Sequence, residues 1–295
     1  MSQKIKPYLL LFPAVATIVL LFFGGLFDGF LKSLGYFPAI GETRFGIAAY
    51  RNLLNSEAFW DSLALTFRIA ALSSLIAALL GAAMAVALFM LQASEKGRSS
   101  RFWQRLFQLP LTIPHLVGGY IVVLLFMQSG FLSKILASAG WIDEITDFPV
   151  LVNDSFGWGI ILAYAWKEAP FVSLMMYPVL ARIHRSWRDV SRVFGAGNWD
   201  FIRDIVLPVM MPAWTIATFI VFVFTFSAFE VPFLLGVTYP SVLPVYSYQL
   251  YTSGTLADRP EALAVNIILA SLTILLGLVV YYFSKRWNVL RGWDG

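Results

Sequence analysis

The sequence has 295 residues, of which 59% are hydrophobic and only 13% charged, with a net charge of +4 and a mean hydropathy of +0.75. Soluble domains carry about 25% charged residues, so a chain this apolar belongs in lipid. Cysteine is absent, which excludes a disulfide framework, a thiolate metal site and a cysteine nucleophile together, and no basic stripe is set aside for nucleic acid.

A bilayer core about 30 Å thick takes about 20 apolar residues in helical form. Six stretches satisfy this in chain order: 7–29, 62–92, 112–127, 158–180, 207–237 and 262–284. They must be helices, because lipid offers no water to backbone N–H and C=O groups and the runs lack the alternation of barrel strands. The basic lead at 1–6 is followed by no small-x-small exit, so the first stretch is expected to stay as a span, without a removable leader. Between the third and fourth stretches, the segment 128–157 is long enough for short outer helices. No soluble domain interrupts the run, and 1–295 reads as one membrane domain.

Charge sidedness sets the direction. With the N-terminus inside, the cytoplasmic segments hold Lys4, Lys6, Lys96, Arg98, Arg101, Arg105, Arg182, Arg185, Arg188, Arg192, Arg203, Lys285, Arg286 and Arg291, whereas the outer ones hold only Lys32, Arg44, Arg51, Lys134 and Arg259. Acidic residues lean outward, with Asp28, Glu42, Glu57, Asp61, Asp143, Glu144, Asp147, Asp154, Asp258 and Glu261 against Glu95, Asp189, Asp200, Asp204 and Asp294 inside. This positive-inside bias puts both termini in the cytoplasm. The expected fold class is an all-α polytopic membrane protein with six transmembrane helices.

The cytoplasmic segment 182–208 is the most patterned. Ile183, Trp187, Val190 and Phe194 recur at helical steps and share one face, while Arg185, Arg188 and Arg192 share another with Asp189 in reach. Gly195, Gly197 and Asn198 tolerate positive φ and allow a sharp turn. A second short helix follows, with Trp199, Ile202 and Val206 on one side, and Pro208 suits a helix start. Such a helix–turn–helix fits docking in a partner's groove or lying on anionic lipid, and periodicity alone leaves both open.

The order Asp189-Val190-Ser191, three residues, Gly195, nine residues, Ile205-x-Leu207-Pro208 resembles the EAA loop of binding-protein-dependent ABC importer permeases, in which Glu-Ala-Ala opens the pattern. The glycine, isoleucine, leucine and proline match, and the opening triplet departs conservatively at all three positions. Leu109-Pro110, Ile113-Pro114-His115, Gly130-Phe131-Leu132, Trp166-Lys167 and Pro170-Phe171 resemble further family segments, and 62–284 follows the family order. The resemblance implies the type I importer permease fold in the bacterial-type inner membrane. It also implies a solute pathway shared with a second permease subunit, which is expected to be a paralogue. Two ATPase subunits would be coupled through Asp189, Val190, Ser191, Arg192, Gly195, Ala196, Ile205, Leu207 and Pro208, and an extracytoplasmic solute-binding protein would deliver the solute. Segment 229–236 looks most like the polyamine, iron and thiamine branch, implying a polyamine or other small cationic solute, with a sugar or other small solute as the alternative.

No Gly-x-x-x-x-Gly-Lys-Ser/Thr sequence occurs, so ATP phosphates have no Walker A loop here. The chain is expected to be non-catalytic and without a cofactor, ATP and Mg²⁺ being held by the partner ATPase. Arg68, Lys167, Glu168, Glu230 and Asn266 lie in or near the spans and are the candidates for the translocation pathway, since polar and ionisable groups there are costly enough to be functional by default. Glu230 reads equally as a pathway carboxylate or as an internal partner of Lys167 or Arg68. Arg68, Lys167 and Glu168 read as structural, snorkelling from the outer ends of their helices. His115 and His184, the only histidines, lie at the ends of different spans and are not expected to make a metal cluster. Gly24-Gly25, Gly118-Gly119 and Gly81-Ala82-Ala83 fit close helix approach. An ion-coupled secondary transporter and an intramembrane hydrolase are the rivals. Neither is supported, since no internal repeat and no nucleophile–base pair stands out.

Overall fold

The computed structural model describes residues 6–38, 41, 43–93, 97–183 and 185–290. The expected sidedness charges Lys4, Lys96, Arg291, Glu42, Glu95 and Asp294, together with His184, lie outside the described residues. The structure is 79% helix and has no strands among the described residues. In chain order the helices are α1 (Lys6–Ser33), α2 (Ala48–Leu54), α3 (Glu57–Ala93), α4 (Gly97–Thr112), α5 (His115–Phe126), α6 (Phe131–Ser138), α7 (Trp158–Leu180), α8 (Arg185–Val193), α9 (Asn198–Phe201), α10 (Leu207–Phe226), α11 (Glu230–Leu235), α12 (Leu243–Ser253) and α13 (Arg259–Leu290). They form two compact units, 1–60 with 243–272, and 61–242 with 273–295.

Five helical segments of the described residues are long and apolar enough to cross a membrane: Leu10–Ser33, Glu57–Leu91, His115–Ser138, Asn198–Phe226 and Leu256–Tyr282. Helix α7, the remaining expected span, has 23 residues, or about 34 Å at 1.5 Å per residue, but its middle carries Lys167 and Glu168. Most of its residues are buried in the protein, and a helix wrapped by its neighbours needs no lipid-compatible surface.

The larger unit is organised around α7, against which α4, α5, α10 and α11 pack. Small residues make the closest approach. Ala77, Gly81 and Ala85 recur every fourth residue on α3 and are buried, and a Cβ on Gly81 would lie 2.6 Å from both the Ala169 carbonyl oxygen and the Val172 Cβ. Gly81 thus acts as expected, with Ala77 and Ala85 on its face because a helix returns to one face after four residues; Ala82 packs against the same cluster, while Ala83 is exposed. Gly118 and Gly119 also sit against side chains, while Gly24 and Gly25 have nothing within 4 Å. Trp214 Nε1 donates to the Ala78 carbonyl at 2.9 Å, tying α10 to the same stripe.

The segment 128–157 forms α6 and a short 3₁₀ turn. Gln128 closes it by donating to the carbonyls of Thr146 and Phe148, and the Asp154 carboxylate accepts the N–H groups of Phe156, Gly157 and Trp158 at the start of α7. In the smaller unit, Ser33 and Tyr50 share a hydrogen bond of 2.7 Å and Asn52 donates to Glu261 at 2.7 Å.

Two expected spans are interrupted. The stretch 112–127 begins only at His115, because Ile113–Pro114 separates α4 from α5: a proline cannot donate and disfavours the helical region for the residue before it. The stretch 207–237 is broken at 227–229, where the Ser227 hydroxyl takes the Val223 carbonyl at 3.0 Å. Replacing Gly81 by leucine is expected to lower the melting temperature of the purified protein in detergent by several degrees. Overpacking costs about 1–3 kcal/mol and here meets backbone as well as side chain. An unchanged melting curve would refute the close approach.

Candidate functional site

Two constellations concentrate the unusual residues of the larger unit. The first is the segment after α7. Ile183 turns inward rather than joining the face expected of α8: it sits in the turn before the helix and is buried with Leu180, Phe201, Val206 and Met210. The face of α8 itself is bare. Trp187 and Val190 are exposed, and Val193 and Phe194 are each 85% exposed.

The turn after α8 is a Schellman motif. Gly195 has φ +83°, its N–H donates to the Arg192 carbonyl at 2.9 Å and the Ala196 N–H to the Ser191 carbonyl at 3.0 Å, the pairing that a left-handed residue just past a helix end permits. Arg188 then reaches Asn198 Oδ1 at 3.1 Å, and Asp200 accepts the Gly197 N–H at 2.7 Å, fixing the start of α9. Asp189 and Arg192 stay exposed, and no ion pair joins them among the described residues.

Beyond α9 the chain departs from expectation. Pro208 lies in the first turn of α10, as expected, but no break precedes that helix. A π-helical turn, Ile202–Val206, joins α9 to α10, and the Leu207 N–H bonds the Ile202 carbonyl five residues back. The wider turn accommodates the proline ring inside a continuous helical segment. It also shifts the helical phase, so Phe201 and Val206 are buried while Trp199 is 68% exposed. The segment Asn198–Phe226 therefore runs unbroken from the bare surface into a span.

The second constellation lies midway along α7. Lys167 and Glu168 are not at the outer end of the helix: they are 4% and 8% exposed, about 15 Å from its start. They grip the two sides of the α4–α5 break. Pro114 has no N–H, which deprives the carbonyl four residues earlier, that of Pro110, of its α-helical donor, and Lys167 Nζ donates to that oxygen at 3.0 Å. Across the break, His115 Nε2 lies 2.9 Å from Glu168 Oε1, with the His115 ring 4.8 Å from that of Phe224.

Glu230 is the first residue of α11 and is exposed; it forms no ion pair with Lys167 or Arg68 among the described residues. Tyr164, 1% exposed, is buried with its ring 6.1 Å from that of Phe224. Arg68 is structural: its Nη2 donates to the Ser155 carbonyl at 3.1 Å and its guanidinium stacks 4.5 Å above the Phe156 ring. Asn266 belongs to the smaller unit, on an exposed position of α13, and is not part of this cluster. No group of three or more His, Asp or Glu with metal-binding geometry occurs among the described residues. Sequence reasoning missed His115 and Tyr164 as members; the spacing of Pro110 and Pro114 was the available signal that a donor must come from elsewhere.

The family profile of the binding-protein-dependent transport system inner membrane component matches residues 77–289. The chain belongs to that family. Its members are permease subunits of ABC importers, multi-pass proteins of the inner membrane, with the ATPase in a partner chain. Among relatives, the probable starch degradation products transport system permease protein AmyD of Thermoanaerobacterium thermosulfurigenes is 21% identical over 95% of this chain and 94% of its own length. The diacetylchitobiose uptake system permease protein DasB of Streptomyces coelicolor is 27% identical over 95% and 86%. The fold matches a chain of a bacterial ABC transporter involved in the import of the acidic polysaccharide alginate, with a TM-score of 0.80, 21% identity and coverage of 96% of this chain and 98% of that one. Family membership removes both the secondary transporter and the hydrolase.

Replacing Lys167 by methionine keeps the length of the side chain but strips the donor from Pro110. The Pro110 oxygen keeps the bond from the Ile113 N–H at 3.3 Å, so the expected cost is that of one lost hydrogen bond from a charged group, about 1.5–3 kcal/mol, read as a lower melting temperature in detergent, with Lys167→Arg losing less. Equal stability of Lys167→Met and wild type would show that the Lys167 bond does not hold the break.

Proposed function

We propose that this chain forms half of a solute pathway, with α7 as a sixth span, and that the segment from Asp189 to Pro208 couples it to an ATPase subunit. The observation that carries this reading is the uncovered apolar surface of Trp187, Val190, Val193 and Phe194. It is held by the Gly195 turn and rooted through Phe201 and Val206 in the core shared with α7 and α10. A surface of that kind on a rigid base suits insertion into a partner's groove. Movement of the groove would be passed to α10 without a flexible joint, biasing the pathway between two arrangements. The assembly would comprise a paralogous second permease, two ATPase subunits holding ATP and Mg²⁺, and an extracytoplasmic binding protein.

The solute reading changes. The likeness of 229–236 to the polyamine branch is a single segment, whereas relatives that match nearly the whole chain are named for starch degradation products and diacetylchitobiose. A saccharide fits better than a small cation, and we adopt it.

Phe194→Asp places a charge on a side chain that makes little contact within this chain. Loss of an interface anchor worth 2 kcal/mol weakens association about thirtyfold, so the variant should reach the membrane normally yet no longer co-purify with the ATPase. Gly195→Asp, which has open space for a Cβ but a backbone that non-glycine residues resist, should abolish transport and its coupling to ATP hydrolysis while the protein stays in the membrane. Undiminished uptake by both variants would overturn the coupling role.

A further inference from the structure

Helix α4 packs on α7 along one side and leaves the other uncovered. The two helices run antiparallel: Lys167 holds the Pro110 carbonyl, while Gln104, Phe107 and Gln108 line a narrow cavity with Pro170, Ser173 and Tyr177. Pro110 and His115 therefore lie level with the middle of α7, and α4 itself covers the depth from there toward the end of α7 at Leu180. Exposed on its free side, at helical steps, are Phe102, at 63%, Leu106 and Leu109, with Arg105 exposed among them. The helix contains no acidic residue, and Arg98, Arg101 and Arg105 follow at steps of three and four.

Depth decides what this face meets. At 1.5 Å per residue the backbone of Arg105 stands about 8 Å from the level of Pro110, and those of Arg101 and Arg98 about 14 and 18 Å, while hydrocarbon extends about 15 Å from the midplane of a bilayer. Helical side chains lean toward the N-terminus, which on α4 is toward the nearer membrane surface. Arg105 can thus keep its stem among acyl chains and its guanidinium at the headgroups, and Trp103 falls where aromatic belts form. No ion pair holds Arg105 among the described residues. We infer that the free side of α4 binds an anionic phospholipid, with the headgroup phosphate on Arg105 and the acyl chains along Phe102, Leu106 and Leu109. A guanidinium matches phosphate oxygens with a fork of donors, and basic residues set beside membrane helices select anionic headgroups. Such a lipid has its negative charge at the surface and its apolar chains inward, the order in which α4 presents arginines and then leucines. The inference is independent of the pathway and coupling readings.

The whole importer, purified in detergent, is titrated with phosphatidylglycerol or phosphatidylcholine of identical acyl chains, and bound lipid is followed by native mass spectrometry. The wild-type complex should hold phosphatidylglycerol the more tightly. Arg105→Gln should weaken phosphatidylglycerol binding about fivefold, the factor that one basic residue near a membrane surface supplies, and leave phosphatidylcholine binding unchanged, whereas Arg105→Lys, which keeps the charge, should lose less. In a second measurement a photo-crosslinking amino acid replaces Leu106 in the otherwise wild-type chain, with the importer in vesicles of phosphatidylcholine and a minority of phosphatidylglycerol. Its adducts should be enriched in phosphatidylglycerol above the share of that lipid in the vesicle.

Equal affinity for the two lipids, or phosphatidylglycerol affinity untouched by Arg105→Gln, would overturn the inference. Crosslinks from position 106 to a protein chain would assign the face to a partner subunit and overturn it equally. Where Arg105→Gln does not assemble, the adducts at position 106 decide: enrichment in phosphatidylglycerol supports the site, and a lipid composition equal to that of the vesicle contradicts it.

Discussion

The absence of water inside a bilayer imposes one demand on this chain that much of the larger unit answers: each backbone carbonyl deprived of its helical partner must find another donor within the protein. Pro114 creates such a deficit at Pro110 in the middle of an otherwise apolar region. The Ile113 N–H reaches that oxygen at 3.3 Å, and the shorter bond, at 3.0 Å, comes from the one side chain in α7 long and cationic enough to reach it. Lys167 is therefore buried for a structural reason. Because it is adjacent to Glu168, which holds His115, two neighbouring residues of α7 secure both sides of the α4–α5 break.

This places α7 at the centre of the unit in a mechanical as well as a geometric sense. Its C-terminal half, through Val172, Met176 and Leu180, packs in the cluster that also contains Phe201, Val206 and Met210. Its middle grips the break through Lys167 and Glu168. The Ala77, Gly81 and Ala85 stripe of α3 allows α7 to lie close enough for little slack to remain. Displacement of α8 has two stiff routes into the membrane: the unbroken Asn198–Phe226 segment and the α7 core. Packed elements with discrete arrangements transmit such shifts better than deformable ones.

Much of this was legible in the sequence. Long apolar runs located the membrane segments, and the Gly195 turn followed from a glycine at the end of an amphipathic pattern. The breaks at Ile113–Pro114 and at 227–229 were lost inside runs whose mean apolarity hides a single non-helical residue. The phase of the second loop helix was misread because periodicity assumes 3.6 residues per turn, and the π-helical turn before Pro208 does not keep it. The polar cluster was only half visible: Lys167, Glu168 and Glu230 stand out as charges among apolar neighbours. Their partners Pro110 and His115 are more than 50 residues away in the chain, and no local pattern announces a contact of that range.

The central claim is that the bare face of α8 is covered by an ATPase subunit and not by lipid. A photo-crosslinking amino acid at position 193, whose native valine is 85% exposed, tests it in cells expressing the whole importer. The account predicts a covalent adduct with a chain bearing a Walker A loop, lost when Phe194→Asp is added. Adducts with lipid alone, unaffected by that second substitution, would contradict it.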